Sequence, residues 1–151
     1  TCGKALGCEG ALVCAPAIVR DFIVNRGRPF IFSTAPSPLM AWLVRQALEI
    51  VANEPERQGR LHGLIRRAET RLAALGLPAS GSQIIPVVIG DNARTMRIAA
   101  ALQADGFDIR GIRPPTVPHG TARLRIAITL NVGEREIDAM TESLSAAMAA
   151  A

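Results

Sequence analysis

Thr1-Cys2-Gly3-Lys4-Ala5-Leu6-Gly7 holds the only lysine of a 151-residue chain that otherwise draws its positive charge from sixteen arginines. Arginine stays protonated at any working pH, whereas an ε-amine can be desolvated, lose its proton and attack a carbonyl. Lys4 is therefore the one side chain here able to form an imine. Gly3, Ala5 and Gly7 around it are small, so the backbone can pass close to a bound group. The hydroxyl of Thr1, three positions earlier, is the kind of donor that phosphate oxygens accept from. An amine and a phosphate donor within four residues point to an aldehyde cofactor that carries a phosphate. The same pattern also occurs in loops that bind nothing, and an arginine-rich composition by itself leaves few lysines.

Composition bounds the alternatives. About half the residues are hydrophobic (49%), enough for one sizeable core or for a domain with part of another. No apolar run approaches the roughly 20 residues of a membrane-spanning helix. The formal charge of +4 suggests an anionic partner, yet the arginines are spread along the chain and only 3% of residues are aromatic. Stacking platforms for nucleic acid are therefore lacking, and phosphate-bearing small molecules or a solvated arginine-rich surface remain. Cys2, Cys8 and Cys14 form no C-x-x-C pair and have no nearby histidine, which argues against a zinc site, and their odd number, in a chain whose start lacks the regions of a secretory signal, argues for reduced thiols in the cytoplasm. Cys14 lies in an apolar run and reads as core packing. The chain opens on Thr1 with the reactive loop at once, so further sequence is expected before it or from another chain.

Residues 10–15 read as a short buried strand, followed by a helix over residues 16–25 with Ile18, Phe22 and Ile23 on one face. Gly27, Arg28 and Pro29 stop it. The apolar run Phe30-Ile31-Phe32 leads into Ser33-Thr34, and Ser37 caps a helix with Pro38 at its first position, running to about Asn53. Residues 55–75 form an amphipathic helix, with Leu61, Leu64, Ile65, Ala68, Leu72 and Leu75 inward and Arg57, Arg60, Arg67 and Arg71 on a solvated face. The Gly-, Pro- and Ser-rich residues 76–82 read as a boundary between two units. A β-branched run at residues 84–89, broken by Pro86, reads as an edge or bulged strand. A helix capped by Asp91 or Asn92 stops at Gly106. Strands over residues 107–112 and 123–130 and a last helix over residues 134–149 complete a β-α-β-β-α layer, α+β, with its helices on one face of a sheet.

A second stretch with chemistry runs from Ile112 through Arg113-Pro114-Pro115-Thr116-Val117-Pro118-His119-Gly120-Thr121-Ala122-Arg123-Leu124-Arg125 to Ile126. Its prolines and glycine stiffen the connection that carries Thr116. Period two puts Arg123 and Arg125 on the same strand face, where a guanidinium can grip a carboxylate with two parallel hydrogen bonds. On a face packed by helices at least one of them is expected to meet an anion, while the pattern alone slightly favours a pair of exposed arginines on a solvent face. His119 reads as a solvated turn residue.

Taken together, these two stretches with Arg28-Pro29-Phe30-Ile31-Phe32-Ser33-Thr34 and Ile85-Pro86-Val87-Val88-Ile89-Gly90-Asp91-Asn92 resemble the α-oxoamine synthase family of pyridoxal-phosphate enzymes, in order and in spacing. The resemblance covers essentially the whole chain and implies an α/β protein of fold type I. Family members are more than twice as long, and their first half supplies the acidic partner of the pyridinium nitrogen, the histidine stacked on the ring and much of the phosphate cradle. Residues 1–53 are similar to the end of the large cofactor domain with its connecting helix, and residues 54–151 to the small C-terminal domain. The resemblance implies that Lys4 bonds to pyridoxal 5'-phosphate and moves the substrate α-proton, and that Thr1 holds the phosphate. It implies that Ser33 and Thr34 reach the phosphate of the neighbouring subunit in a homodimer with a shared active site. Arg125 matches the arginine that holds the amino-acid carboxylate, and Thr116 and Arg113 match positions on the acyl side. Cys2 and Cys8 replace bulkier residues of the family pattern, and His119 a small one. The branch most resembled condenses L-alanine with a pimeloyl thioester, on coenzyme A or a carrier protein, with loss of CO₂, for biotin biosynthesis. Glycine-using sister branches are the alternative, and a non-catalytic fragment, inactive without the missing half, is a reading of another class.

Overall fold

A computed structural model describes all residues, Thr1–Ala151, and divides them into two units, Thr1–Pro55 and Glu56–Ala151. The first is built from helices α1 (Ala17–Arg26), α2 (Arg28–Ile31) and α3 (Pro38–Asn53). The cap of α3 follows from local chemistry alone: Ser37 is extended, its hydroxyl oxygen accepts from Leu39 N, and Pro38 occupies the first turn, where a missing N–H costs nothing. The strand expected at residues 10–15 is absent; that segment is exposed coil, and Cys14 is exposed rather than packed. A strand needs a ladder partner for its backbone groups, and all three strands of the chain lie in the second unit. Apolar residues are plentiful here, yet only Cys2 and Val44 are buried. Of the seventeen exposed large hydrophobics, fourteen lie between Leu12 and Val51, Phe22, Phe32 and Trp42 among them.

The second unit runs α4 (Glu56–Ala73), β1 (Ile84–Gly90), α5 (Asn92–Ala104), β2 (Arg110–Ile112), β3 (Ala122–Ala127) and α6 (Glu134–Ala150). The sheet is antiparallel in the order β1-β3-β2, so β1 is an edge strand and Pro86 lies where its missing N–H is tolerated. Alternation decides the layers. Ile85 and Val87 of β1 with Leu124 and Ile126 of β3 turn inward onto Ile65, Ala68 and Leu72 of α4, Ile98 and Leu102 of α5, and Ile137, Met140 and Leu144 of α6. Ile84, Pro86, Val88, Arg110 and Arg125 are exposed on the opposite, open face. Helix α5 packs closely on β2: a Cβ on Gly111 would lie 2.8 Å from the sulfur of Met96, whose flexible, exposed side chain would have to move aside.

Two expected boundaries move for identifiable reasons. Residues 76–82 do not separate the units: they join α4 to β1 inside the second one, where Leu77 N reaches Leu72 O and the Glu69 carboxylate accepts from Ser80 N and Gly81 N at 2.8 and 2.7 Å. Strand β2 is three residues rather than six, since Ile109 N folds back onto Phe107 O and the Gln103 amide donates to Ile109 O, removing both from the ladder. The arginines of α4 are also not all simply solvated. Arg67 forms a fork to Asp138 on α6, with Nε 3.0 Å from Oδ1, and reaches Glu134 at 2.8 Å. Arg71 Nε sits 3.2 Å from Asp138 Oδ1 as an ion pair without hydrogen-bond alignment.

Hydrogen bonds from Arg67, with its charge and that of Arg71, hold the Asp138 carboxyl below its ordinary range. A carboxyl whose folded value is depressed contributes stability above its unfolded pKa and loses it as pH falls through the folded one. Thermal stability of the second unit is therefore expected to decline below about pH 4, the ordinary aspartate value. Asp138→Asn should flatten that decline in melting curves taken between neutral and acidic pH. Glu136, whose carboxylate accepts from Gly133 N at the start of α6, is depressed in the same direction and adds to the remaining slope.

Candidate active site

Lys4 stands at the head of a closed turn. Cys2 N donates to Gly10 O at 2.8 Å and Cys8 N to Cys2 O at 3.0 Å, tying the base, while Gly7 N donates to Lys4 O at 3.0 Å. Gly7 makes the reversal with φ of +61°, in the left-handed region that L side chains resist. The buried Cys2 anchors the turn, and with Gly10, Met40 and Val44 it helps line a recess of about 240 Å³. The Lys4 and Thr1 side chains are exposed, and a Cβ on Gly3 would meet only Cys8 O, at 3.8 Å. The result is an amine with no competing partner, on a backbone open enough for a planar group to come close. Ser33 and Thr34 follow α2 in the same unit, both exposed, with the Ser33 hydroxyl donating to Pro29 O. Thr1, Lys4, Ser33 and Thr34 thus belong to the first unit.

The remaining residues belong to the second unit. Arg113 and Thr116 are exposed at the two ends of a turn closed by Thr116 N to Arg113 O, 3.1 Å, around a cis Pro114-Pro115 peptide. The next turn has Gly120 at φ +75° and Thr121 bonded back to Pro118 O; His119 is exposed there. Strand β3 then presents Arg123 and Arg125 on the open face. Arg123 is half-buried, with its Nε donating to Thr121 O at 3.0 Å. Arg125 is exposed and is flanked by Pro86 of β1 and by Arg110 of β2. Arg110 was not singled out from sequence, because only the register of the ladder puts it beside Arg125. No cluster of three or more His, Cys, Asp or Glu residues could hold a metal ion.

The model of the family described as aminotransferase class I and II matches residues 1–144. The chain belongs to that family. Within the family it is 43% identical over 150 residues to 8-amino-7-oxononanoate synthase of Anaeromyxobacter dehalogenans (strain 2CP-1 / ATCC BAA-258), an alignment covering 98% of this chain and 38% of the relative. It is 42% identical over 146 residues to the enzyme of that name from Methylobacterium radiotolerans, covering 97% and 38%. The chain therefore spans well under half the length of the curated relatives it matches. Among solved structures, serine palmitoyltransferase of Sphingomonas wittichii superposes with a TM-score of 0.91 at 19% identity, over 99% of this chain and 39% of that one. An 8-amino-7-oxononanoate synthase from Francisella tularensis gives 0.83 at 23%, over 96% and 43%. At those identities the superpositions establish the fold, and the motif resemblance to the α-oxoamine synthases is borne out by the relatives' names. No helix is long and apolar enough to cross a membrane.

Proposed function

We propose that this class I and II aminotransferase-family chain is the C-terminal part of a pyridoxal-phosphate-dependent acyltransferase. The reaction joins the α-carbon of L-alanine to the carbonyl carbon of a pimeloyl thioester. The thiol and CO₂ leave, and 8-amino-7-oxononanoate for biotin synthesis is the product. The observation that carries the reading is Lys4, the sole lysine, exposed and unencumbered at the head of a turn whose glycines leave room for a bound ring. The residues present fit the cofactor. The Lys4 amine would bond its aldehyde carbon, and the hydroxyls of Thr1, Ser33 and Thr34 would donate to phosphate oxygens, the last two toward the neighbouring subunit of a homodimer. When bound, pyridoxal 5'-phosphate supplies an electron sink for charge at the substrate α-carbon.

The chain's own residues do the rest. The Lys4 amine takes the α-proton as general base. Arg125 orients the amino acid through its carboxylate with a guanidinium fork, a geometry that lysine cannot offer. Arg113 and Thr116, fixed by the prolines between them, line the acyl side. Residues 1–53 then close the large domain and residues 54–151 form the small one. Work in the cytoplasm belongs to the same reading, as expected of a biosynthetic enzyme like the relatives named above.

A panel of amino acids and acyl thioesters, assayed with the complete protein, tests the assignment. Alanine with a pimeloyl thioester is expected to exceed glycine by about 10–200-fold in kcat/KM, the discrimination that one methyl group provides in an apolar pocket. Preference for glycine with a short or succinyl thioester would instead make it a 2-amino-3-oxobutyrate CoA ligase or a 5-aminolevulinate synthase. A second reading has its own support in the fourteen exposed large hydrophobics of the first unit. Taken by itself, the 151-residue chain is then an inactive piece that associates with a partner covering that surface, and it turns over none of these substrates.

A further inference from the structure

We propose that Arg110 is a second carboxylate-binding residue of the amino-acid site, with Asp108 acting as its internal competitor. The inference rests on the reading of Arg125 given above. In the ladder Arg110 is the direct partner of Arg125, with Pro86 on the other flank. Directly opposed residues carry their Cβ atoms about 4.5–5.5 Å apart, and like charges so placed repel. Nothing on the strands relieves that repulsion. The open face carries Ile84, Pro86 and Val88 on β1, Arg123, Arg125 and Ala127 on β3, and Arg110 and Ile112 on β2, without one carboxylate.

The acidic group that pairs with Arg110 is Asp108, just before β2, whose Oδ1 lies 2.6 Å from Arg110 Nε. Both side chains are mostly exposed, at 63% and 76%, so water screens the pair and its hold is weak. Asp108 and Arg110 also line a shallow recess with Gln103, Gly106 and Phe107, which leaves the guanidinium space to turn. A substrate carboxylate has about four lone-pair positions. Seated on the fork of Arg125, it can still accept from a neighbouring guanidinium. The substrate thus takes the place of the Asp108 carboxylate on Arg110, and two facing positive charges become a site that selects an α-carboxylate. Arg123 is less suited, since its Nε is already committed to Thr121 O.

Steady-state kinetics of the complete protein, with L-alanine varied at saturating thioester, provide the test. Arg110→Ala is expected to raise the KM for alanine about tenfold, the scale of one charge-assisted hydrogen bond, with kcat within about twofold. Asp108→Asn should move the KM the other way, below the wild-type value, and Arg110→Lys should recover part of the loss. A merely structural role for the Asp108–Arg110 pair would make the Asp108 and Arg110 variants change together in the same direction. An unaltered KM in both Arg110→Ala and Asp108→Asn, alongside a large rise in Arg125→Ala, overturns the proposal and leaves the Arg125 site standing. An unaltered KM in Arg125→Ala as well removes the carboxylate site from which both arguments start.

Discussion

Lys4→Ala in the complete protein is expected to abolish the visible absorbance that a covalently held pyridoxal phosphate gives, and to lower turnover by at least about 10²–10⁴-fold, the range for loss of a general base. The loss should be greater still if one amine both anchors the cofactor and moves the proton, because residues that act as a unit do not contribute additively. No other side chain can substitute, since the remaining strong cations are all arginines. Lys4→Arg should therefore be as inactive as the alanine variant while keeping the charge. An unchanged spectrum together with unchanged turnover would remove the central assignment. The substitution should fold normally, because the side chain is exposed and the turn is held by main-chain bonds among residues 2–10.

Arg125→Ala carries the second large expected effect. A guanidinium gripping a desolvated carboxylate is worth about 2–5 kcal/mol on truncation, which corresponds to roughly 30- to 5,000-fold in kcat/KM for alanine. An arginine that merely faces solvent on a sheet would cost about 0–1 kcal/mol. The two outcomes do not overlap, so one kinetic comparison separates a binding residue from a surface charge. Arg125→Lys retains the charge and should recover little, since a point charge does not reproduce two parallel hydrogen bonds. Circular dichroism of the variant should match wild type, because inward packing in β3 comes from Leu124 and Ile126.

What could be read from sequence divides along the range of the interactions involved. The caps at Ser37 and Asp91 were legible because each is a side chain bonding to a backbone N–H two or three residues on. The inward face of α4 was legible from spacing, and the common face of Arg123 and Arg125 from period two. Residues 10–15 look like a strand by composition, but a strand is a relation between segments, and no other segment pairs with this one. The same limit hid the fork between Arg67 and Asp138, separated by 71 positions, and the placement of Arg110 against Arg125. The candidate site follows the same rule. Thr1 and Lys4 announce themselves because they share one turn, whereas what surrounds Arg125 is decided by register.

The sparse interior of the first unit makes it dependent on a covering surface. Fifty-five residues with two buried apolar side chains fall well short of what an autonomous domain of that size requires. The turn that presents Lys4 is closed by its own main-chain bonds, but helices α1 to α3 around it keep their apolar side chains in solvent. A copy left without a covering surface is expected to aggregate through that patch sooner than through the well-packed second unit.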